Sequence, residues 1–91
     1  METRQAINKE VNITAWYFNN KHNFDSYPKR MEFDNREYTF ADGLRYLVQK
    51  GQQAIRLFDM TDGSAKYRLR FDTNEHIWTL VSITSGPRAT H

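Results

Sequence analysis

Residues 55–71, IRLFDMTDGSAKYRLRF, decide the fold that the sequence predicts. Two runs of alternating apolar and polar residues flank the dipeptide Asp62-Gly63, and a period of two is typical of a β-strand with one buried face. Asp-Gly between two such runs is the strongest short-range signal for a β-hairpin. The segment therefore predicts two antiparallel strands, over residues 53–60 and 65–72.

The same turn predicts which side chains share a face. A two-residue turn at Asp62-Gly63 pairs Asp59 with Lys66 and Phe58 with Tyr67, so that opposite charges and aromatic rings meet. Bulky side chains then occupy one face of the hairpin and cations occupy the other. The first face carries Ala54, Arg56, Phe58, Met60, Tyr67, Leu69 and Phe71, and the second carries Ile55, Leu57, Lys66, Arg68 and Arg70.

A third strand completes a predicted antiparallel meander. Residues 76–84 follow a turn at Thr73-Asn74 and are apolar on both faces, with Ile77 and Val81 against Trp78 and Leu80. A strand that is apolar on both faces is typical of the inside of a sheet. We therefore expect this strand to lie between strand 65–72 and the N-terminal strand.

The N-terminal half begins with a predicted flexible lead-in, residues 1–10. Alternation over 11–18 predicts a strand, and the polar residues of 19–29 predict an exposed loop. Residues 30–39 predict a hairpin that turns at Asp34-Asn35, two residues that tolerate a left-handed backbone. Trp16, Phe18 and Trp78 fit either a core or an exposed aromatic surface, and the sequence does not choose between them.

Residues 40–50 predict a helix. Phe40, Leu44, Leu47 and Val48 have the spacing of one helical face, Thr39 can cap the N-terminus, and Gly51 follows the last turn. The predicted fold class is therefore α+β. An N-terminal strand and hairpin precede the helix, which packs on the bulky face of the meander, and 11–85 form one domain with a tail over 86–91.

Composition excludes several classes of protein. The 91 residues suffice for one domain, and an aromatic fraction of 14% is too high for a disordered chain. The chain has no cysteine, which excludes disulfide scaffolds, thiolate metal sites and thiol nucleophiles. A net charge of +2 excludes a strongly basic arm for nucleic acid but leaves room for a local basic face.

No stretch of the sequence predicts membrane insertion or export. The longest nearly apolar run, 77–83, is too short to span a bilayer, and residues 1–10 lack the apolar segment of a signal peptide. We therefore expect a soluble, cytoplasmic protein that does not bind membranes.

The cationic face is the predicted functional surface. Lys66, Arg68 and Arg70 recur at every second residue, so a strand places all three on one face, where they can bind phosphate or carboxylate groups. Ile55 and Leu57 lie beside them, and a plain solvated face has no need of two aliphatic residues. The alternative is such a solvated face, with Asp59 neutralising Lys66.

The sequence shows no convergent catalytic or metal-binding residues. The three histidines, His22, His76 and His91, lack the spacing of a metal pair, and no glycine loop can cradle phosphate. No serine lies in a nucleophile elbow. We therefore expect no cofactor and no metal, and favour a binding or regulatory module that engages a protein or nucleic acid with acidic or phosphate groups. A homodimer through the same face is a further alternative.

Residues 67–71, YRLRF, and 77–81, IWTLV, are loosely similar to the closing strands of RelE-type ribonuclease toxins. The likeness implies that Arg68 and Arg70 hold phosphate while His76 or a nearby tyrosine moves protons. Those toxins place helices before the sheet, whereas a strand and a hairpin come first here. The chain is therefore not assigned to that family, and a nucleic-acid-acting enzyme stays an alternative function.

Overall fold

The computed structural model describes residues 3–19 and 22–85. Within them the chain forms one antiparallel sheet of seven strands and no helix, in the order β3-β2-β1-β7-β6-β5-β4. The predicted α+β class is therefore wrong. The strands are β1 Thr3–Asn19, β2 His22–Phe33, β3 Arg36–Thr39, β4 Asp42–Lys50, β5 Gln53–Thr61, β6 Lys66–Asp72 and β7 Ile77–Ser85.

The segment predicted as a helix is strand β4. All nine of its residues pair with β5, and Gly51 adopts a φ of 59° in the two-residue turn between the two strands. An isolated helix of this length is marginal, whereas the hairpin gives the backbone a complete partner. Leu44 and Leu47, which suggested the buried face of a helix, are 61% and 67% exposed. Their exposure shows that no helical core face exists here.

The sheet curls, which brings the end of β3 close to the start of β4. β3 and β4 are joined by Phe40 and Ala41 alone, so these opposite edges are continuous in sequence. The Phe40 amide donates to the carbonyl of Lys29 in β2 (2.8 Å), and the Ala41 amide donates to that of Thr61 in β5 (2.7 Å). The curled sheet therefore has an interior, which takes the place of the predicted helix–sheet core, and an outer face.

Aromatic and aliphatic side chains from β1, β2, β5, β6 and β7 fill this interior. The Trp78 ring lies 5.1 Å from that of Phe58, 4.8 Å from that of Phe71 and 5.4 Å from that of Trp16. Trp78 therefore packs against the core, and Trp16 contacts it from β1, whereas the side chain of Phe18 lies outside the described part of the chain. The buried hydrophobic residues of the core are Val11, Met31, Phe40, Phe58, Met60, Tyr67, Leu69 and Leu80.

The C-terminal meander and its division into two faces are confirmed. β5, β6 and β7 are consecutive neighbours, and β7 lies between β6 and β1. Tyr67 is buried in the interior, while Arg68 lies on the outer face. The register is wrong, however: Asp59 pairs with Arg68, and Lys66 pairs with Thr61. Because the shift is two residues, an even number, every side chain keeps its face.

Asp62 explains the shift, since it holds a four-residue loop, 62–65, in place of a two-residue turn. Its Oδ1 accepts hydrogen bonds from the amides of Ser64 (2.8 Å) and Ala65 (2.9 Å), and its Oδ2 accepts one from the hydroxyl of Tyr67 (2.8 Å). Burial opposes ionisation of Asp62, but these hydrogen bonds outweigh it and lower the pKa of the carboxyl group. Burial, followed by the bond to Asp62, raises the pKa of Tyr67.

The second predicted hairpin is confirmed. Phe33 pairs with Arg36 and Met31 with Tyr38. Asp34 and Asn35 have φ values of 55° and 61°, the left-handed conformation that a type I′ turn requires at both central residues.

β1 and β2 are longer than predicted. β1 includes residues 3–10 of the predicted lead-in, which pair with β7, and β2 includes residues 22–29 of the predicted loop. The lead-in lacks a clean alternation because Asn8, with a φ of 55°, lies in a bulge of the pairing with β7. The predicted tail, 86–91, lies outside the described residues. No helix that could cross a membrane is found in the described part of the chain.

Candidate functional site

The outer face brings together the residues that the sequence predicts as functional. Lys66, Arg68 and Arg70 project from it along β6, and Ile55 and Leu57 lie beside them on β5, half-buried. Leu57 is directly opposite Arg70, and Ile55 is directly opposite Asp72. The juxtaposition of cations and aliphatic residues is therefore present, although the register that the sequence predicted for it was two residues out.

A groove on this face is lined by Arg4, Asp59, Lys66, Arg68, Ser82 and Thr84, and we call it the outer groove. It is open to solvent and encloses about 250 Å³. Thr84 lies between Arg4 of β1 and Lys66 of β6, and Ser82 pairs with Arg68. Short side chains thus form the floor and long cationic ones form the walls. The two hydroxyl groups can donate hydrogen bonds to an oxyanion that the cations attract.

Arg68 is held in place by Asp59. Its Nε and Nη2 donate to Oδ1 (2.7 Å) and Oδ2 (2.9 Å) of that carboxylate, in a bidentate arrangement. The hydrogen bond, reinforced by the negative charge of Asp59, raises the pKa of Arg68. The arginine side chain is nevertheless 42% exposed. Arg68 therefore forms a rigid wall of the outer groove whose charge is largely compensated.

The other cations of this face are not compensated in that way. Among the described residues, no ion pair or hydrogen bond from a side chain involves Arg4, Lys66 or Arg70. The Nε of Arg70 is fully buried and has no hydrogen-bond partner in the part of the chain that the structure describes. A buried donor without an acceptor costs about 1–3 kcal/mol, so this arrangement is unfavourable in the isolated chain.

Three residues of the outer groove, Arg4, Ser82 and Thr84, were not predicted from the sequence. Arg4 fell in the predicted lead-in, and only the pairing of β1 with β7 brings it opposite Thr84. Strict alternation along β7 would place Ser82 and Thr84 on the same face as Trp78 and Leu80, which is the interior. The bulge opposite Arg68 and Leu69 turns both residues to the outer face, and no signal in the sequence indicates that bulge.

A strip of apolar residues adjoins the cations on the side of β4. Tyr46 is directly opposite Leu57, and Val48 is directly opposite Ile55. Leu44, one pair further along, is 61% exposed, and Tyr46 is 44% exposed. We call Leu44, Tyr46, Val48, Ile55 and Leu57 the apolar strip. Adjacent exposed apolar side chains of this kind are a feature of contact sites.

The histidine that the sequence associated with catalysis does not join this site. His76 lies in the turn before β7, with its ring 6.0 Å from that of Phe71, an interior residue. The side chain of His22 and all of His91 lie outside what the structure describes. Within the described residues, no three His, Asp or Glu side chains are close enough to hold a metal ion.

Comparisons with known proteins give no relative of this chain. No protein-family model matches it. No curated protein is significantly similar to it. No solved structure matches it significantly. These comparisons lend no support to the likeness to RelE-type toxins, and the geometry and charge of the outer face are what support a function.

Proposed function

We propose that this protein is a binding module that holds an anionic partner on its outer face. The outer groove receives a carboxylate or phosphate group, and the apolar strip contacts apolar parts of the same partner. The single observation that carries the proposal is a set of cations, Arg4, Lys66 and Arg70, that form no ion pair with the described residues, with Arg70 directly opposite Leu57 of that strip. An anion placed there gains charge-assisted hydrogen bonds, which are about twice as strong as neutral ones.

Arg70 supports the same proposal from the energetics of the fold. Its buried Nε has no acceptor among the described residues, and a rotation of the side chain toward a bound oxyanion would supply one. Leu57 lies directly opposite Arg70, so that an anion there displaces water next to an aliphatic side chain. Burial of this kind strengthens the attraction between opposite charges because the local dielectric falls.

The apolar strip favours a protein partner over a nucleic acid. A phosphodiester backbone offers charge but no aliphatic groups, and the exposed Leu44 would gain nothing from it. An acidic segment of a protein offers both carboxylates and apolar side chains, which matches the composition of this face. The compensation of Arg68 by Asp59 also leaves a moderate positive charge rather than the dense one that nucleic-acid interfaces carry.

The experiment is a fluorescence anisotropy titration with two labelled probes. One probe is a peptide of alternating glutamate and leucine, and the other is a single-stranded oligonucleotide of equal charge. We expect the peptide to bind, and the double variant Arg4→Ala/Lys66→Ala to weaken its affinity about tenfold, equivalent to about 1.4 kcal/mol. Arg36→Ala is the matched control, because Arg36 is an exposed cation on β3.

The outcomes of this titration separate the alternatives. Unchanged affinity in the double variant, or a loss as large in Arg36→Ala, contradicts the outer groove as the binding site. Tighter binding of the oligonucleotide, with an affinity that falls steeply as salt is raised, assigns the partner to nucleic acids instead. Binding of neither probe by the wild-type chain contradicts the proposed function.

A further inference from the structure

β4 is the last strand of the sheet and forms one of its edges. Among the described strands, it pairs only with β5. It contains no proline, and its nine residues exceed the length of most strands. Proline and short length are two features that protect edge strands from pairing with another chain, and β4 has neither.

The direction of the backbone groups along this edge follows from one hydrogen bond. Thr73 Oγ1 donates to the carbonyl of Ala54 (2.8 Å), so the backbone groups of Ala54 point toward β6. Backbone groups alternate along a strand, and those of Leu57 therefore point toward β4, where they meet Tyr46. By the same alternation, the N–H and C=O of Leu47 and Gln49 point away from β5, toward the edge.

The amide of Gly43 supports this assignment independently. It donates to Oδ1 of Asp42 (2.8 Å), a side chain of its own strand, as expected for an N–H that does not face β5. The side chain of Arg45 lies on the inner side of the sheet, because its guanidinium lies over the ring of Tyr27, 5.7 Å from the centroid. It therefore lies on the opposite face of β4 from the apolar strip.

We propose that two copies of this chain pair through β4, antiparallel, about a two-fold axis at Tyr46. In this register Leu44 of one copy faces Val48 of the other, and the two Tyr46 rings meet on the outer face. Leu47 of one copy faces Arg45 of the other, and Gln49 faces Gly43. These residues form the hydrogen-bonded pairs between the copies, because their backbone groups point toward the edge of β4. The two apolar strips then form one continuous surface.

The occupant is a second copy because the strand is complementary to itself. A two-fold axis at Tyr46, the central residue of β4, matches apolar residues with apolar residues at every outer-face position from 44 to 48. Neither Ile55 nor Leu57 lies in the contact, so the dimer differs from the one that the sequence suggested. It leaves the outer groove of each copy open and does not depend on the proposed function.

Opposite charges at the axis give the sharpest test. Tyr46→Glu and Tyr46→Lys each place two like charges face to face in a homodimer, whereas a mixture of the two variants places Glu opposite Lys. We expect sedimentation velocity to show a wild-type mass that doubles with rising concentration. Each variant alone stays monomeric over that range, and the equimolar mixture regains the dimer. A retained thermal unfolding transition shows that each variant folds.

Amide hydrogen exchange of the wild-type protein gives a second readout that needs no substitution. Dimerisation slows exchange at Leu47 and Gln49 as concentration rises and leaves Tyr46 unchanged, because the Tyr46 amide already bonds to β5. A wild-type chain that is monomeric throughout overturns the proposal. So does a mixture that stays monomeric, or a pair of variants that each dimerise as the wild type does.

Discussion

Asp59 and Arg68 face each other across β5 and β6 and form a bidentate ion pair, with 2.7 Å between Nε and Oδ1 and 2.9 Å between Nη2 and Oδ2. This pair divides the cations of the outer face into two kinds. Arg68 is compensated, whereas no ion pair among the described residues involves Arg4, Lys66 or Arg70. Asp59 therefore limits the positive potential of the outer groove.

The first prediction concerns Asp59→Asn. Removing the carboxylate releases the charge of Arg68 into the outer groove, so we expect tighter binding of an acidic peptide. The unfolding free energy falls by less than about 1 kcal/mol, because the pair is partly exposed. Anisotropy titration measures the affinity, and Asp34→Asn in the β2–β3 turn is the control with the same change of charge. Equal effects of both substitutions contradict a local role for Asp59.

The second prediction concerns Arg70→Met, which exchanges a buried donor without a partner among the described residues for an apolar group. We expect the free energy of unfolding to rise by about 1 kcal/mol and the affinity for the acidic peptide to fall. Urea denaturation and the same titration measure the two quantities. A less stable variant would show that Arg70 contributes to folding, and unchanged affinity would remove it from the binding face.

The third prediction concerns the pH dependence of stability through Asp62. Its pKa is lowered in the folded chain, so its contribution is present at neutral pH and is lost as the pH falls below about 4, through the folded-state value. Asp62→Ala removes hydrogen bonds from Ser64 and Ala65 and lowers the free energy of unfolding at pH 7 by about 1–2 kcal/mol. The variant should also lose less stability on acidification than the wild type.

Tyr67→Phe is the control for Asp62, because it removes one hydrogen bond to the carboxylate and leaves the two amides in place. Chemical denaturation at several pH values measures both variants. Parallel stability curves for wild type and Asp62→Ala below pH 5 would contradict the role of the loop carboxylate.

The fourth prediction concerns Gly43, which faces Met60 across β4 and β5. A Cβ at residue 43 would overlap Sδ of Met60 and lie 3.0 Å from the carbonyl oxygen of Asp59. We expect Gly43→Ala to lower the free energy of unfolding by about 1–3 kcal/mol, and by less when Met60 is replaced by valine. Thermal and urea denaturation of the four chains of this cycle measure the difference.

Gly51→Ala is the matched control for the Gly43 cycle. Residue 51 has a φ of 59°, and a Cβ at this residue would have no atom within 4 Å, so the cost of about 1–2 kcal/mol comes from the backbone alone. That cost should not depend on Met60. If Gly43→Ala lowers the free energy of unfolding by the same amount with Met60 and with valine at residue 60, close packing against Met60 is not the reason for this glycine.

Local turn chemistry and alternation predicted much of the fold. Asp34-Asn35 fixed one hairpin pair by pair, because few residues adopt two successive left-handed conformations. Alternation placed Tyr67 and Arg68 on opposite faces, and that result survived a wrong register. Side-chain hydrogen bonds from Asp62 set the loop length, and a propensity-based turn rule contains no such information.

Residues 40–50 show where sequence patterns are ambiguous. Leu44 and Val48 are four residues apart, which fits one helical face and equally fits every second residue of a strand. Phe40, which completed the helical pattern, lies outside β4 in the two-residue link from β3. Only the long-range pairing with β5 decides between a helix and a strand for these residues. The outer groove depends on long-range pairing in the same way, because Arg4 reaches it only through the pairing of β1 with β7.

The most direct test of the outer groove is an NMR titration of the labelled protein with the glutamate–leucine peptide, followed through its amide and side-chain signals. We expect the largest shifts at Arg4, Ser82 and Thr84, with Arg70 Nε moving as it gains an acceptor and Arg36 unmoved. Shifts spread evenly over all exposed lysines and arginines, or confined to residues away from β1, β6 and β7, would contradict an anion site on this face.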